Sequence, residues 1–208
     1  MRSDDVAAPR HNPVRPQHRG EMRRTRLLNA LATRLEGQPL AEVSIADVTD
    51  EAGLGRSAFY HYFSGKHEAV THLLADIFSD QVSTVTEIIN APGDKLDNMS
   101  RSLQSVVDAW LGEKALYLAM LDARDTDAAT RQIWTTWLQR YEDFVAEYIS
   151  ENRTVSGADP ADLAHALIAT NEQVLQRLLR SGGGQDAARR AHATLLDIWS
   201  STILGKES

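Results

Sequence analysis

The chain has no cysteine, which removes disulfides, thiolate–zinc sites and thiol nucleophiles together. No apolar run approaches the roughly 18 residues that a membrane span needs. The arginines near the N-terminus have no hydrophobic stretch behind them, so no secretory signal is expected and a cytoplasmic location is. No segment alternates apolar and polar residues as a half-buried strand does, and no internal repeat occurs. An HExxH helix, a carboxylate–histidine di-metal pattern and a nucleophile–base pairing are also missing. The glycine run after Ser181 follows no strand and is read as a plain loop. His67 and His72 are five apart, the wrong spacing for two ligands on one helix face, and are read as surface. Neither an enzyme nor a metal or cofactor site is expected.

What remains is an ordinary globular composition of 208 residues, with 42% apolar and 25% charged, enough for one sizeable core or one small and one medium domain. The net charge of −7 is unevenly placed. Residues 1–66 hold ten Lys/Arg and eight Asp/Glu, giving +2; residues 67–208 hold twelve and twenty-one, giving −9. The N-terminal third is therefore the part suited to an anionic partner.

That third contains residues 44–66, SIADVTDEAGLGRSAFYHYFSGK. Ser44 is a good N-cap, and Asp47 stands three residues later, near the capping-box position. Ile45, Val48 and Ala52 recur at helical spacing. Gly53 can take the left-handed conformation that ends a helix, and Gly55 can begin a second, from Arg56 to Tyr62. Helix, tight glycine turn and short helix is the pattern whose second helix enters the DNA major groove. This second helix has no acid; its hydroxyl, imidazole and guanidinium tips suit a phosphate-lined groove and base edges. Phe59 and Phe63, four apart, are expected to face inward. Lys66, at the start of the next helix, is placed to meet a phosphate.

In this order, AGLGRSAFYHYFSGKHEAV resembles the signature of the TetR family of one-component transcription regulators. Two positions depart from it: Thr49 stands where a small alanine is common, and Gly55 where the turn serine is. The expected DNA-facing set is Ser44, Arg56, Ser57, Ala58, Tyr60, His61, Tyr62 and Lys66. The partners the resemblance implies are a double-stranded DNA operator, a hydrophobic small-molecule effector and a second copy of the chain.

Around this stretch the chain reads as all-α, with about nine helices. Residues 1–20, rich in arginine and proline, read as a disordered basic arm. Helix one is expected over 21–36, completing a three-helix DNA-binding domain at 21–66. The pattern over 67–90, free of Gly and Pro, reads as a helix connecting this domain to the rest. Helices are then expected over 94–111, 114–123, 125–152, 160–181 and 185–204, forming a ligand-binding and dimerisation domain at 67–208.

Two features suggest a binding cavity in that domain. Trp134, Trp137, Tyr141, Phe144 and Tyr148 form an aromatic stripe at helical spacing. Asn171 interrupts the apolar line of Ala164, Ile168, Leu175 and Leu178, and a buried amide needs a partner; Glu172 beside it is expected to orient it. An apolar cavity with one or two placed polar groups is the usual build of a small-molecule site. The segments NMSRSLQSVVDAWLG, IWTTWLQRYEDFVAEYI, ALIATNEQVLQ and LLDIWSSTILG are similar, in order and spacing, to one branch of the family. That branch carries a long aromatic channel with an asparagine contact. The resemblance implies lining by Met99, Leu103, Val107 and Leu111 from the helix at 94–111. Trp134, Leu138, Tyr141, Phe144, Val145 and Tyr148 would come from the next long helix. Ile168, Asn171, Glu172 and Leu175 would face them, with Trp199 closing the channel. Ser100 and Val107 replace bulkier aromatics, so a wider channel is expected there. The last two helices are expected to pair across a twofold axis. The rival readings are a helical enzyme, or a ligand-binding protein without DNA contact.

Overall fold

The structure, a computed structural model, describes residues 16–154 and 157–205. Among these residues there are nine α-helices and no strand. They are α1 (Pro16–Gly37), α2 (Ile45–Glu51), α3 (Arg56–Tyr62), α4 (Lys66–Ile89), α5 (Lys95–Gly112), α6 (Lys114–Thr126), α7 (Ala128–Asn152), α8 (Pro160–Arg180) and α9 (Gln185–Ile203). Most expected helices are present, several with nearly the expected ends. Helix one is the main exception. It begins at Pro16, so residues 16–20 of the expected arm are helical. Proline has no N–H to leave unbonded and a φ already suited to a first helical turn. Composition had marked this segment as loop. Residues 1–15, the remainder of the expected basic arm, lie outside the described residues.

Side chains set the other ends. The capping box at Ser44 is present: Asp47 N–H donates to Ser44 Oγ at 3.1 Å, and Ser44 N–H donates to Asp47 Oδ2 at 3.2 Å. Asp127 Oδ1 accepts from Thr130 N–H at 2.8 Å and starts α7 three residues later than expected. Asp159 accepts from Ala161 N–H at 2.8 Å, with Pro160 as the first helical residue of α8.

α1, α2 and α3 pack together, and α1 also packs on α4 and α6. α4 then runs on through the second half, packing on α5, α6 and α7. The remaining layers are α7 on α8, α5 on α9 and α8 on α9. The buried apolar side chains form one continuous cluster, from Leu27 and Leu31 at one end to Leu195 and Ile203 at the other.

Candidate functional site

The turn between α2 and α3 is built as its sequence suggests. Gly53 has φ +59, and its N–H donates to Asp50 O at 3.1 Å while Leu54 N–H donates to Thr49 O at 2.9 Å. Arg26 reaches across from α1 to the Ala52 carbonyl, close enough that a Cβ on Gly53 would lie 3.0 Å from the guanidinium. Glycine is thus required here by backbone angle and by space. The departure at Thr49 is harmless: the side chain is buried, but its hydroxyl donates to Ala46 O at 3.0 Å. The departure at Gly55 has a consequence, since α3 starts without a side-chain cap.

Phe59 and Phe63 are buried, with ring centroids 5.4 Å apart, and anchor α3 from below. Arg56, Ser57, Tyr60 and His61 are exposed, and Tyr60 is 55% open. Ala58 and Tyr62 are half-buried. The Tyr62 hydroxyl lies beside Gly20 of α1, and its ring meets His61 edge-on at 4.8 Å. No acid lies on α3. Exposed Arg19 and Arg23 on α1 add to the positive face, while Arg24 sits over the Phe63 ring at 5.6 Å.

Two residues of the expected DNA-facing set make hydrogen bonds within the protein. The Ser44 hydroxyl donates to Asp47 Oδ2 at 2.6 Å, so this side chain positions α2. The Ser44 hydroxyl and backbone N–H together hold the Asp47 carboxyl below its ordinary range. Lys66 is the more fully engaged of the two. Its ammonium donates to the carbonyls of Leu40, Ala41 and Val43 at 2.6, 3.0 and 3.0 Å. An ammonium has three donors, and all three are engaged. Lys66 therefore ties the start of α4 to the α1–α2 connection.

Lys66→Met is accordingly expected to destabilise the fold by about 1–3 kcal/mol, since the carbonyls lose charged donors. Operator affinity should fall with it. The slope of log affinity against log salt should stay as in the unmutated chain. A phosphate-contacting lysine would instead lower that slope by about 0.9 per copy, and a salt titration of both proteins separates the two cases.

The second half contains two small cavities of about 40 and 50 Å³, which share Val106, Tyr141, Ile168 and Asn171 as walls. Leu103, Phe144, Val145, Tyr148 and Trp199 close the first. Trp134, Leu138, Glu172 and Leu175 belong to the second. Twelve of the fifteen residues expected to line a channel border these two cavities. Met99 and Val107 do not; both are fully buried in core packing. Leu111 packs instead toward the α8–α9 loop, where its side chain would lie 2.8 Å from a Cβ on Gly183. The α5 residues that do face the cavities are Ser102, Leu103, Val106 and Trp110, a stripe turned from the expected one. α5 is packed by both α4 and α9, so its apolar positions serve more than one face.

The expected widening at Ser100 and Val107 is also absent. Ser100 faces α9, where its carbonyl lies 2.9 Å from His192 Nε2. The wall that sequence reasoning missed is α4, which contributes Phe78, Gln81, Val85 and Ile89. The apolar spacing of α4 was visible, but its neighbours were not.

The polar groups are arranged differently too. Asn171 Oδ1 accepts from Trp199 Nε1 at 2.9 Å. Glu172 does not orient it: its carboxylate is held by Arg124 of α6 and by Gln176 Nε2 at 2.6 Å. The same Arg124 guanidinium lies 5.4 Å from the centroid of the Trp134 ring. Burial pushes the Tyr141 and Tyr148 phenols up, so both keep their protons.

Comparison with known proteins matches both halves. Residues 27–71 fit the family model described as bacterial regulatory proteins, tetR family, and residues 99–205 fit that of the transcriptional regulator EthR, C-terminal domain. The chain is 30% identical over 195 residues to the HTH-type transcriptional regulator EthR of Mycobacterium tuberculosis, covering 90% of this chain and 89% of that one. It is 25% identical over 191 residues to EthR of Mycolicibacterium smegmatis, covering 89% and 88%. Its fold matches the crystal structure of a TetR-family transcriptional regulator from Pectobacterium atrosepticum with a TM-score of 0.71 at 18% identity, covering 93% of this chain and 100% of that one. No described helix is long and apolar enough to cross a membrane. A helix-turn-helix joined by one helix to a cavity-bearing domain, with relatives that agree in both parts, places this chain in the TetR family of transcriptional regulators, with an EthR-type C-terminal domain.

Proposed function

We propose that the chain is a cytoplasmic repressor that grips a pseudo-palindromic operator as a homodimer and releases it when an elongated hydrophobic molecule fills the C-terminal cavities. The observation that carries this reading is the double attachment of α4. Its C-terminal half supplies Phe78, Gln81, Val85 and Ile89 to the cavity walls. Its first residue, Lys66, is bonded to three carbonyls of the DNA-binding domain. A molecule that widens the cavities by displacing α4 moves with it the α1–α2 connection of the DNA-binding domain. The cavities are far smaller than the roughly 300 Å³ at which small-molecule sites begin. The effector therefore favours a widened form over this one, and only such a difference in affinity can shift the equilibrium.

Reading through Ser57, Tyr60 and His61 requires two copies, with α3 helices about 34–36 Å apart to meet successive half-sites. α8 and α9 are the surfaces for this pairing. Between them runs a groove floored by Val174, Leu178, Ala187 and Ala191 and edged by Arg177 and Arg190. An apolar floor with a charged rim is the usual anatomy of an interface.

The test is fluorescence anisotropy of DNA from the region upstream of the chain's own gene, at several salt concentrations, with the protein's mass measured in parallel. Sequence-specific binding by a dimer that weakens steeply with salt is the expected result. Salt-insensitive or absent binding, or a monomer at the binding concentration, would sink the reading.

A further inference from the structure

A further cleft lies at the seam between the two halves, and it shares no wall residue with the cavities around Asn171. Its volume is about 670 Å³. Small-molecule sites occupy roughly 300–1,000 Å³ and favour such domain junctions. Leu35, near the end of α1, and Leu40, in the α1–α2 connection, belong to one wall. Ala115, Leu118 and Ala119 of α6 form the other. Leu40 and Ala119 are buried, while Ala115 and Leu118 are half-buried.

Four charged side chains border this apolar floor: Lys114, Arg180, Glu36 and Asp122. They are not equivalent. Lys114 is half-buried and the other three are exposed. Its ammonium donates to the Gly182 carbonyl at 3.0 Å, which places it beside the loop that follows Arg180 and leaves two of its three donors over. Among the described residues no carboxylate pairs with Lys114 or Arg180. That end of the cleft is therefore cationic, partly shielded from water and short of a counter-charge. Asp122 stands eight residues further along α6, about 12 Å away by the helical rise. Water serves the exposed Asp122 and Glu36 carboxylates, and their charge opposes a second anion at the rim.

We infer that this cleft is a second ligand site, built for an amphipathic monoanion whose carboxylate meets Lys114 and Arg180 and whose alkyl chain lies against Leu35, Ala115 and Leu118. Such an occupant bridges α6 and the α1–α2 connection, where the Leu40 carbonyl holds Lys66. It thereby braces the joint at which α4 leaves the DNA-binding domain, without entering the cavities around Asn171.

Isothermal titration calorimetry of the full-length protein with octanoate tests the site. Octanoate is expected to bind the unmutated chain, and octanedioate, which carries a carboxylate at both ends, to bind more weakly. The double variant Lys114→Gln, Arg180→Gln should weaken octanoate binding at least about tenfold, the scale of one charge-assisted hydrogen bond lost. Ala115→Phe keeps both cations and fills the cleft, so it should remove octanoate binding. Should either of these fail to fold, Arg180→Gln alone trims only an exposed side chain and should weaken binding about threefold, the scale of an exposed ion pair. Absence of octanoate binding, binding undiminished in the folded variants, or octanedioate binding as tight as octanoate each overturns the site. None of these outcomes involves DNA, so the reading of the chain as a regulator stands or falls separately.

Discussion

Tyr60→Ala is expected to weaken operator binding at least about 30-fold while barely changing the melting temperature. The side chain is 55% exposed, and its ring meets the Phe59 ring edge-on at a centroid distance of 5.8 Å. Surface changes of this kind usually move stability by less than about 0.5 kcal/mol. Its position on α3, beside Arg56, Ser57 and His61, is where a reading side chain stands. One lost contact to a base or the backbone costs about 1–3 kcal/mol, and a dimer loses two, giving about 2–6 kcal/mol. The lower end of that range is the 30-fold quoted. Arg56→Ala should behave differently: a comparable loss across all DNA sequences, with the salt slope reduced by about 2 per dimer. Anisotropy titrations of both variants against operator and scrambled DNA make the comparison. An unchanged isotherm for Tyr60→Ala would mean that α3 is not the reading helix.

The second large effect is on stability. Arg124→Met should destabilise the protein by about 3 kcal/mol, because it strands the Glu172 carboxylate, whose side chain is only 12% exposed. The loss of the guanidinium from the Trp134 ring adds to this. For a chain of 208 residues that corresponds to a fall in melting temperature of roughly 6–12 °C. Glu172→Gln in the same background should restore much of it, since no charge is then left behind. Gln176 can still donate to the remaining side-chain oxygen. Thermal melts of the single and double variants decide the matter. A single variant that melts like the unmutated chain, or a double variant no better than the single, would show that the pair is not what holds α6 to α8.

The features legible in the sequence were those carried by neighbouring residues. The capping box at Ser44, the left-handed Gly53 and the inward Phe59 and Phe63 all depend on spacings of a few positions. Each was found where it was expected. The family signature joined them into a fold. The features that escaped depend on distant partners. Lys66 bonds carbonyls 23 to 26 residues earlier, and a backbone carbonyl belongs to every residue type, so it leaves no mark in the sequence. The stripe on α5 was misjudged because periodicity identifies buried positions without saying which neighbour buries them. Met99 and Val107 are as apolar as Val106 and Trp110 and are used in another packing layer. Glu172 was paired with the adjacent Asn171 by proximity in sequence, while its actual partner, Arg124, stands 48 residues away on α6.

The continuous core has a thermodynamic consequence. Because Leu27 and Ile203 belong to one buried cluster, the DNA-binding helices share their interior with the second half. Unfolding of one half therefore exposes packing surface of the other. Any molecule that binds only the folded state then stabilises it, adding about 2.7 kcal/mol at a hundredfold excess over its dissociation constant. An effector could thus loosen the grip of α3 on DNA and, in the same act, make α3 harder to unfold. The protein freed from its operator would be longer-lived than the protein bound to nothing, and so ready to rebind once the effector is gone.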